Sequence, residues 1–185
     1  MKFLRSFLVI FISFITPIKA DLNKNLINQL EDGGKLIFIR HAYAPGNGDP
    51  NNFNLNDCST QRNLSNIGRK QAQYIGKFFR ENKIKIDKVL SSEWCRCKET
   101  AKIAFKNFST NSFLNSFYSS KFAKNKNKQI DALNDYINKF KSNKNLVFIT
   151  HYVLISEVLN YAPSSGEIVV SDKNFNIIGT IETNY

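Results

Sequence analysis

KLIFIRHAY, Lys35 to Tyr43, runs five mostly apolar residues straight into Arg40 and His41. A strand exposed on one face alternates apolar and polar side chains, so the nearly continuous run Lys35 to Ile39 reads as a strand covered on both faces. The chain holds two histidines, and the second, His151, ends a similar run, NLVFITH. Both therefore stand at the carboxyl end of a buried-looking strand. Ligands of open α/β sheets bind beyond those ends, which makes both imidazoles candidates for chemistry.

Outward from this stretch, strands and helices alternate. Residues 21–33 read as a short helix closed by Gly33 and Gly34. Ser65 caps a helix from Asn66 to Asn82 whose Ile67, Ala72, Ile75, Phe78 and Phe79 form one apolar stripe. Lys88 to Leu90 is a second strand; it delivers Ser91 and Ser92 into SSEWCRCKETAKIAF, where a helix begins near Glu93 to Cys95. A helix from Gln129 to Lys141, a strand from Leu146 to Ile149, a helix from about Val153 to Tyr161 and two strands, Glu167 to Val170 and Ile177 to Ile181, complete the pattern. It predicts a three-layer α/β/α sandwich with a mainly parallel sheet, one domain over residues 21–185. Ala42 to Asn63 is a loop of Pro, Gly, Asn and Asp, long enough to imply a function. Phe113 to Phe117 reads as a short extended piece. The Phe-rich stretch Phe105 to Phe122 reads as core and rim packing, and Lys121 to Lys128 as a solvated Lys/Asn-rich loop.

The chain has 185 residues and a net charge of +11. Residues 1–20 have the layout of a secretory signal peptide: Lys2 and Arg5, an apolar run from Phe7 to Ile15, and Ala20 at a plausible cleavage point. The 13 residues from Ser6 to Ile18 are short of the roughly 18 to 20 that span a membrane. Without residues 1–20, 23 basic residues stand against 15 acidic ones, a net +8. The basic residues are scattered, and the densest group, Lys121 to Lys128, has no aromatic interleaving beyond Phe122, so no nucleic-acid partner is expected. The membrane is expected as a partner only through the targeting segment, and the location is periplasmic or extracellular. Three cysteines, Cys58, Cys95 and Cys97, allow a disulfide from Cys58 to either of the others and leave one thiol over. They do not supply the four ligands of a structural zinc site.

Should the strands be neighbours, Arg40, His41, Arg96 and His151 share one pocket. Two histidines and two arginines suit phosphoryl transfer. The phosphoryl oxygens carry charge throughout, and planar guanidinium forks match them bidentately. A neutral imidazole attacks phosphorus if a hydrogen bond on its other nitrogen fixes the tautomer.

RHA at Arg40 to Ala42, SSEWCRCKETA at Ser91 to Ala101, TH at Thr150 and His151, and NLSNIGRKQA at Asn63 to Ala72 together resemble the histidine phosphatase superfamily, the phosphoglycerate-mutase-like clan. The likeness covers most of residues 35–161. It implies that His41 is the nucleophile that becomes phosphorylated and that Arg40, Arg96 and His151 complete the phosphate pocket. It also implies that Asn47, six residues past His41, contacts phosphate, and that no cofactor or metal takes part. Arg62 either lines the pocket or makes a surface ion pair. Glu99, in the ETA of the second motif, is expected to anchor the helix or an arginine.

The chain departs from the family pattern twice. The usual Arg-His-Gly reads Arg40-His41-Ala42, which a backbone at negative φ tolerates. Mutase-like members take their general acid from the segment after the second motif, yet Lys106 to Lys128 contains no Asp or Glu. Glu93, between Ser92 and Arg96 at a helix start, is the preferred substitute, with Asp57 and Glu157 as alternatives; without an acid the enzyme is restricted to good leaving groups. The expected function is a phosphatase acting on a small or lipid-linked phosphorylated substrate through phospho-His41. The rivals are a mutase, an envelope glycolipid or sugar phosphate phosphatase, and a non-catalytic phospholigand binder of the same fold.

Overall fold

The computed structural model describes residues 17–183, with side chains from residue 24 onward. The leader expected over residues 1–20 lies outside the described residues as far as residue 16. Residues 17–20 form the first turn of helix α1 (Pro17–Asp32), which starts earlier than the sequence implied.

The four apolar residues Leu36 to Ile39 of the opening stretch, together with Arg40, form β1 (Leu36–Arg40). It pairs in parallel with β4 (Asn145–Thr150), in a register that sets Arg40 beside Thr150. On the other side of β4 lies β2 (Ile86–Ser91), also parallel, with Ser91 beside Ile149. The sequence-remote motifs therefore leave the sheet side by side. The ladder extends just past the strands: His41 N–H donates to the Thr150 carbonyl, and Ser92 N–H to that of Ile149, both at 2.9 Å. The sheet is completed by a two-residue edge strand, β3 (Ser109–Thr110), β5 (Ile168–Ser171), which runs against β1, and β6 (Ile177–Ile181), in the order β3-β2-β4-β1-β5-β6.

Side chains alternate across a strand, and both faces are covered. Ile37, Ile39, Val147 and Ile149 pack with Leu26 and Leu30 of α1, Ile75 and Phe79 of α2 (Asn66–Glu81), and Cys97, Ala101 and Ala104 of α3 (Cys95–Phe105). Leu36, Phe38, Leu146 and Phe148 meet Leu133 and Ile137 of one helix, Lys126–Lys139, and Leu154, Ile155 and Leu159 of another, Tyr152–Leu159. This double burial is why the strands read as unbroken apolar runs. The fold is the three-layer α/β/α sandwich with a mainly parallel sheet.

Two local expectations are corrected. The piece expected to be extended over Phe113 to Phe117 begins as a 3-10 turn, Ser112–Leu114, because the Asn111 side chain accepts from Phe113 N–H and Gln129 Nε2 gathers the carbonyls of Ser112, Phe113 and Asn115. The expected Lys/Asn loop is largely helical: α4 (Ser120–Ala123) covers its start and α5 (Lys126–Lys139) its end. Lysine is a good helix former, and the buried Leu133 and Ile137 anchor a helix that extends back through these exposed residues.

Of the two possible disulfides, Cys58 is bonded to Cys95, 37 residues apart. Cys95 and Cys97 are two positions apart on α3, about 200° around the helix, so only one can face the loop. Cys97 points to the sheet as a free, buried thiol whose pKa burial pushes up to about 12. The bridge ties the loop after β1 to the start of α3. Its reduction is expected to lower stability by about 3–4 kcal/mol on chain-entropy grounds. Urea unfolding with and without reductant, in parallel with a Cys58→Ser/Cys95→Ser variant, measures this; coincident curves would deny the bridge any role.

Candidate active site

His41 leaves β1 and is almost completely buried. Its Nδ1–H donates to the Ala42 carbonyl at 2.8 Å, which leaves the lone pair on Nε2, where Arg96 Nε–H approaches to 3.2 Å. Ala42 is itself fixed by an N–H bond to Thr100 Oγ1 and is not among the residues with positive φ. Alanine is therefore compatible with this position. The helix start after the loop is pressed against the same segment: Ser65 caps α2 by accepting from Gly68 N–H. A Cβ on Gly68 would lie 2.0 Å from the Tyr43 carbonyl oxygen.

His151 follows β4 and stands 5.5 Å from His41, centroid to centroid. Its Nε2 lies 2.9 Å from Ser92 Oγ. That hydroxyl donates to Asn115 Oδ1 at 3.1 Å, so Nε2–H is the donor to it, and Nδ1 turns toward Arg96 Nη2 at 3.4 Å. Burial lowers the pKa of both imidazoles well below the usual range, and the Arg96 charge lowers them further. Both are neutral at pH 7.

Arg96, the second residue of α3, joins these groups. Besides its contacts to both histidines, it makes a two-point pair with Asp49, at 2.7 Å from Nη1 to Oδ1 and 3.2 Å from Nη2 to Oδ2. Asp49 also accepts from Trp94 Nε1 and from Arg62 N–H. Burial raises its pKa, but the hydrogen bond and charge of Arg96 outweigh this, and the net shift is downward. Asp49 is thus a carboxylate. Sequence reasoning took it only as loop punctuation, because nothing local to a Pro/Gly/Asn segment says which arginine it will meet.

Arg40 donates from Nη1 to the Pro163 carbonyl at 2.8 Å and lies over the Tyr152 ring. Its buried Nε–H finds no acceptor among the described residues. Arg62 both lines the pocket and pins the loop, donating to the carbonyls of Gly48 and Ala44. These groups bound a cavity of about 520 Å³, with Asn47 exposed on its lining.

The expected acid is placed elsewhere. Glu93 does not line the cavity; its backbone N–H bonds Asn115 Oδ1 and its carboxylate accepts from Asn115 Nδ2, which turns it toward the 111–116 segment. Asp57 caps the 3-10 turn Cys58–Thr60, Glu157 pairs with Lys126 and Glu99 with Arg69. Among the described residues, Asp49 is the one carboxylate that lines the cavity.

The buried neutral histidines set a pH dependence. Unfolded imidazoles titrate near pH 6.5, whereas the folded ones resist protonation. The unfolded state therefore binds more protons below pH 6.5. Stability is full above that pH and falls as pH drops toward the folded pKa values, by up to about 1.4 kcal/mol per pH unit for each histidine. Urea unfolding between pH 5 and 7.5 is expected to show a shallower slope for His151→Gln than for the parent chain; equal slopes would contradict the assignment.

Residues 36–115, which include His41 and Arg96, match the Histidine phosphatase superfamily (branch 1). Over 93 residues the chain is 32% identical to the serine/threonine-protein phosphatase Pgam5, mitochondrial, of Drosophila pseudoobscura pseudoobscura. That match takes in 49% of this chain and about a third, 32%, of the relative's length. In structure it is similar to the protein histidine phosphatase SixA complexed with tungstate, with a TM-score of 0.55 and 15% identity over 80% of this chain and 97% of that one. A mycobacterial glucosyl-3-phosphoglycerate phosphatase in complex with VO3 gives a TM-score of 0.55 and 11% identity, over 75% of this chain and 92% of that one. At such identities the likeness is one of fold. The match over residues 36–115 takes in both motifs, and the fold that carries them is the one shared with these phosphatase structures.

Proposed function

We propose that the protein is a phosphatase that hydrolyses small phosphorylated substrates through phospho-His41, with no metal ion required. The observation that supports this best is His41 Nε2: a lone pair fixed by the Nδ1–H bond to Ala42 and set beside Arg96 in a cavity that Arg40 and Arg62 also line. In the first step Nε2 bonds to phosphorus as the bond from phosphorus to the leaving group breaks. The guanidinium groups of Arg40, Arg62 and Arg96 balance the charge on the phosphoryl oxygens. In the second step water attacks phosphorus, its proton passes to Nδ1 of His151, the N–P bond breaks and phosphate departs.

Asp49 holds no proton at neutral pH, so the leaving group departs without receiving a proton from it. Substrates with acidic leaving groups, such as acyl phosphates or phosphoramidates protonated on nitrogen, fit this site best. A panel of aryl phosphates of graded phenol pKa is expected to show a steep fall in kcat/KM as that pKa rises; a flat dependence would mean that a general acid is present. Brief mixing with acetyl phosphate labelled in the phosphoryl group is expected to yield an acid-labile phosphoprotein. A phospholigand binder without turnover, which the ionised state of Asp49 also fits, would not form it. Export through residues 1–20 belongs to the same proposal, supported by the Cys58–Cys95 disulfide, a bond that persists in oxidising compartments.

A further inference from the structure

Beside the phosphate cavity lies a second one of about 370 Å³, and Phe53, Trp94, Ser116 and Phe122 line both. Three of these are rings in mutual contact. Phe53 stacks on Trp94 at 5.0 Å, and Phe122 meets both edge-on at 5.6 and 5.5 Å. Trp94 is held in turn by its Nε1–H bond to Asp49 and lies 5.4 Å from His151. The aromatic wall is thus continuous with the residues around Arg96. Phe53 and Phe122 are only half-buried, so apolar ring surface faces open space next to the reacting groups.

Beyond the wall the second cavity is lined by Leu55 and Phe113. Several of its polar groups are already engaged within the protein. Gln129 Nε2 donates to three carbonyls, Asn111 Oδ1 accepts from Phe113 N–H, and Asn115 bonds Glu93 and Ser92. What the cavity offers a ligand is chiefly apolar contact, which favours small-molecule binding where a few charged groups fix orientation at one end.

We infer that this second cavity binds the apolar body of the substrate's leaving group, so that the natural substrate is a phosphorylated amphiphile: a phosphoryl group at His41 joined to an acyl or aryl portion lying against Phe53, Trp94 and Phe122. This rests on the phosphatase reading and deepens it. Burial of the tail on the shared wall also holds the phosphoryl group in one orientation, a contribution made by parts of the substrate remote from the reacting bond.

Acyl phosphates from acetyl to octanoyl test this, because their leaving groups have nearly equal acidity and differ in apolar length. The expected result is a rise in kcat/KM of up to about fourfold per added methylene, levelling off when the cavity is full. Leu55 and Ala132 line the second cavity and not the first. In Leu55→Asn and in Ala132→Trp the ratio of octanoyl to acetyl phosphate turnover is expected to fall at least tenfold; as a ratio within one variant, it is insensitive to loss of folded protein. Turnover independent of chain length, or an unchanged ratio in both variants, would overturn the amphiphile assignment while leaving the phosphatase reading intact. No turnover of any acyl phosphate would bring down both.

Discussion

Replacing His41 by alanine is expected to reduce turnover by about 10⁴ or more, because residues that act as one catalytic unit lose most of the rate when the nucleophile goes. The expectation follows from the tautomer. With Nδ1–H committed to the Ala42 carbonyl, only Nε2 can attack, and it faces the cavity beside Arg96. Alanine has no atom to form the N–P bond, and the trapped phosphoprotein should vanish with the activity. A circular dichroism spectrum and unfolding midpoint close to the parent's would separate lost chemistry from lost structure. Phosphatase activity that survives in a folded His41→Ala protein would reassign the nucleophile.

Loss of Arg96 comes second in size. Among the described residues it is the one side chain that hydrogen-bonds with His41, His151 and Asp49 together. Arg96→Ala is expected to lower kcat/KM by about 10²–10³, the effect of deleting one preorganised donor aimed at developing charge. Lysine should restore little, because a point charge cannot reach both the carboxylate and the imidazole as the fork does. Two further consequences distinguish this role from a structural one. Since the Arg96 charge lowers the pKa of His41, its removal should raise that pKa and bring an acid limb in kcat/KM to higher pH. It also leaves Asp49 as an unpaired carboxylate in the cavity, where it repels phosphate. The double variant Arg96→Ala/Asp49→Asn should therefore recover part of the loss, and strictly additive effects would show that the pair is not coupled.

The layers and their order were legible from short-range signals. Leu36 to Ile39 and Leu146 to Ile149 are apolar without alternation because helices cover both faces of their strands, and the Ser65 cap marks the start of α2. The placement of Arg40, His41, Ser92 and His151 at strand ends was equally legible. The helical course of residues 120–128 was not, since Lys and Asn on an exposed turn signal a loop unless the buried anchors further along are counted. Glu93 illustrates the limit at the site itself. Its position beside Arg96 in sequence says nothing about direction, and the Asn115 side chain, 22 residues on, turns it away from the cavity.

By itself, then, the sequence determined the sandwich, the strand-end location of the two histidines and the order of the motifs. These depend on periodicity, capping and residue type, which act over a few neighbours. Only the tertiary structure decided that Asp49 holds Arg96, that Cys58 bonds Cys95 and leaves Cys97 buried, and that an aromatic wall runs from His151 and Asp49 to an apolar cavity. Each of these rests on contacts between side chains 28 to 69 residues apart. Their partners were chosen by the parallel register of β1, β4 and β2, which brings the loop after β1 against the start of α3.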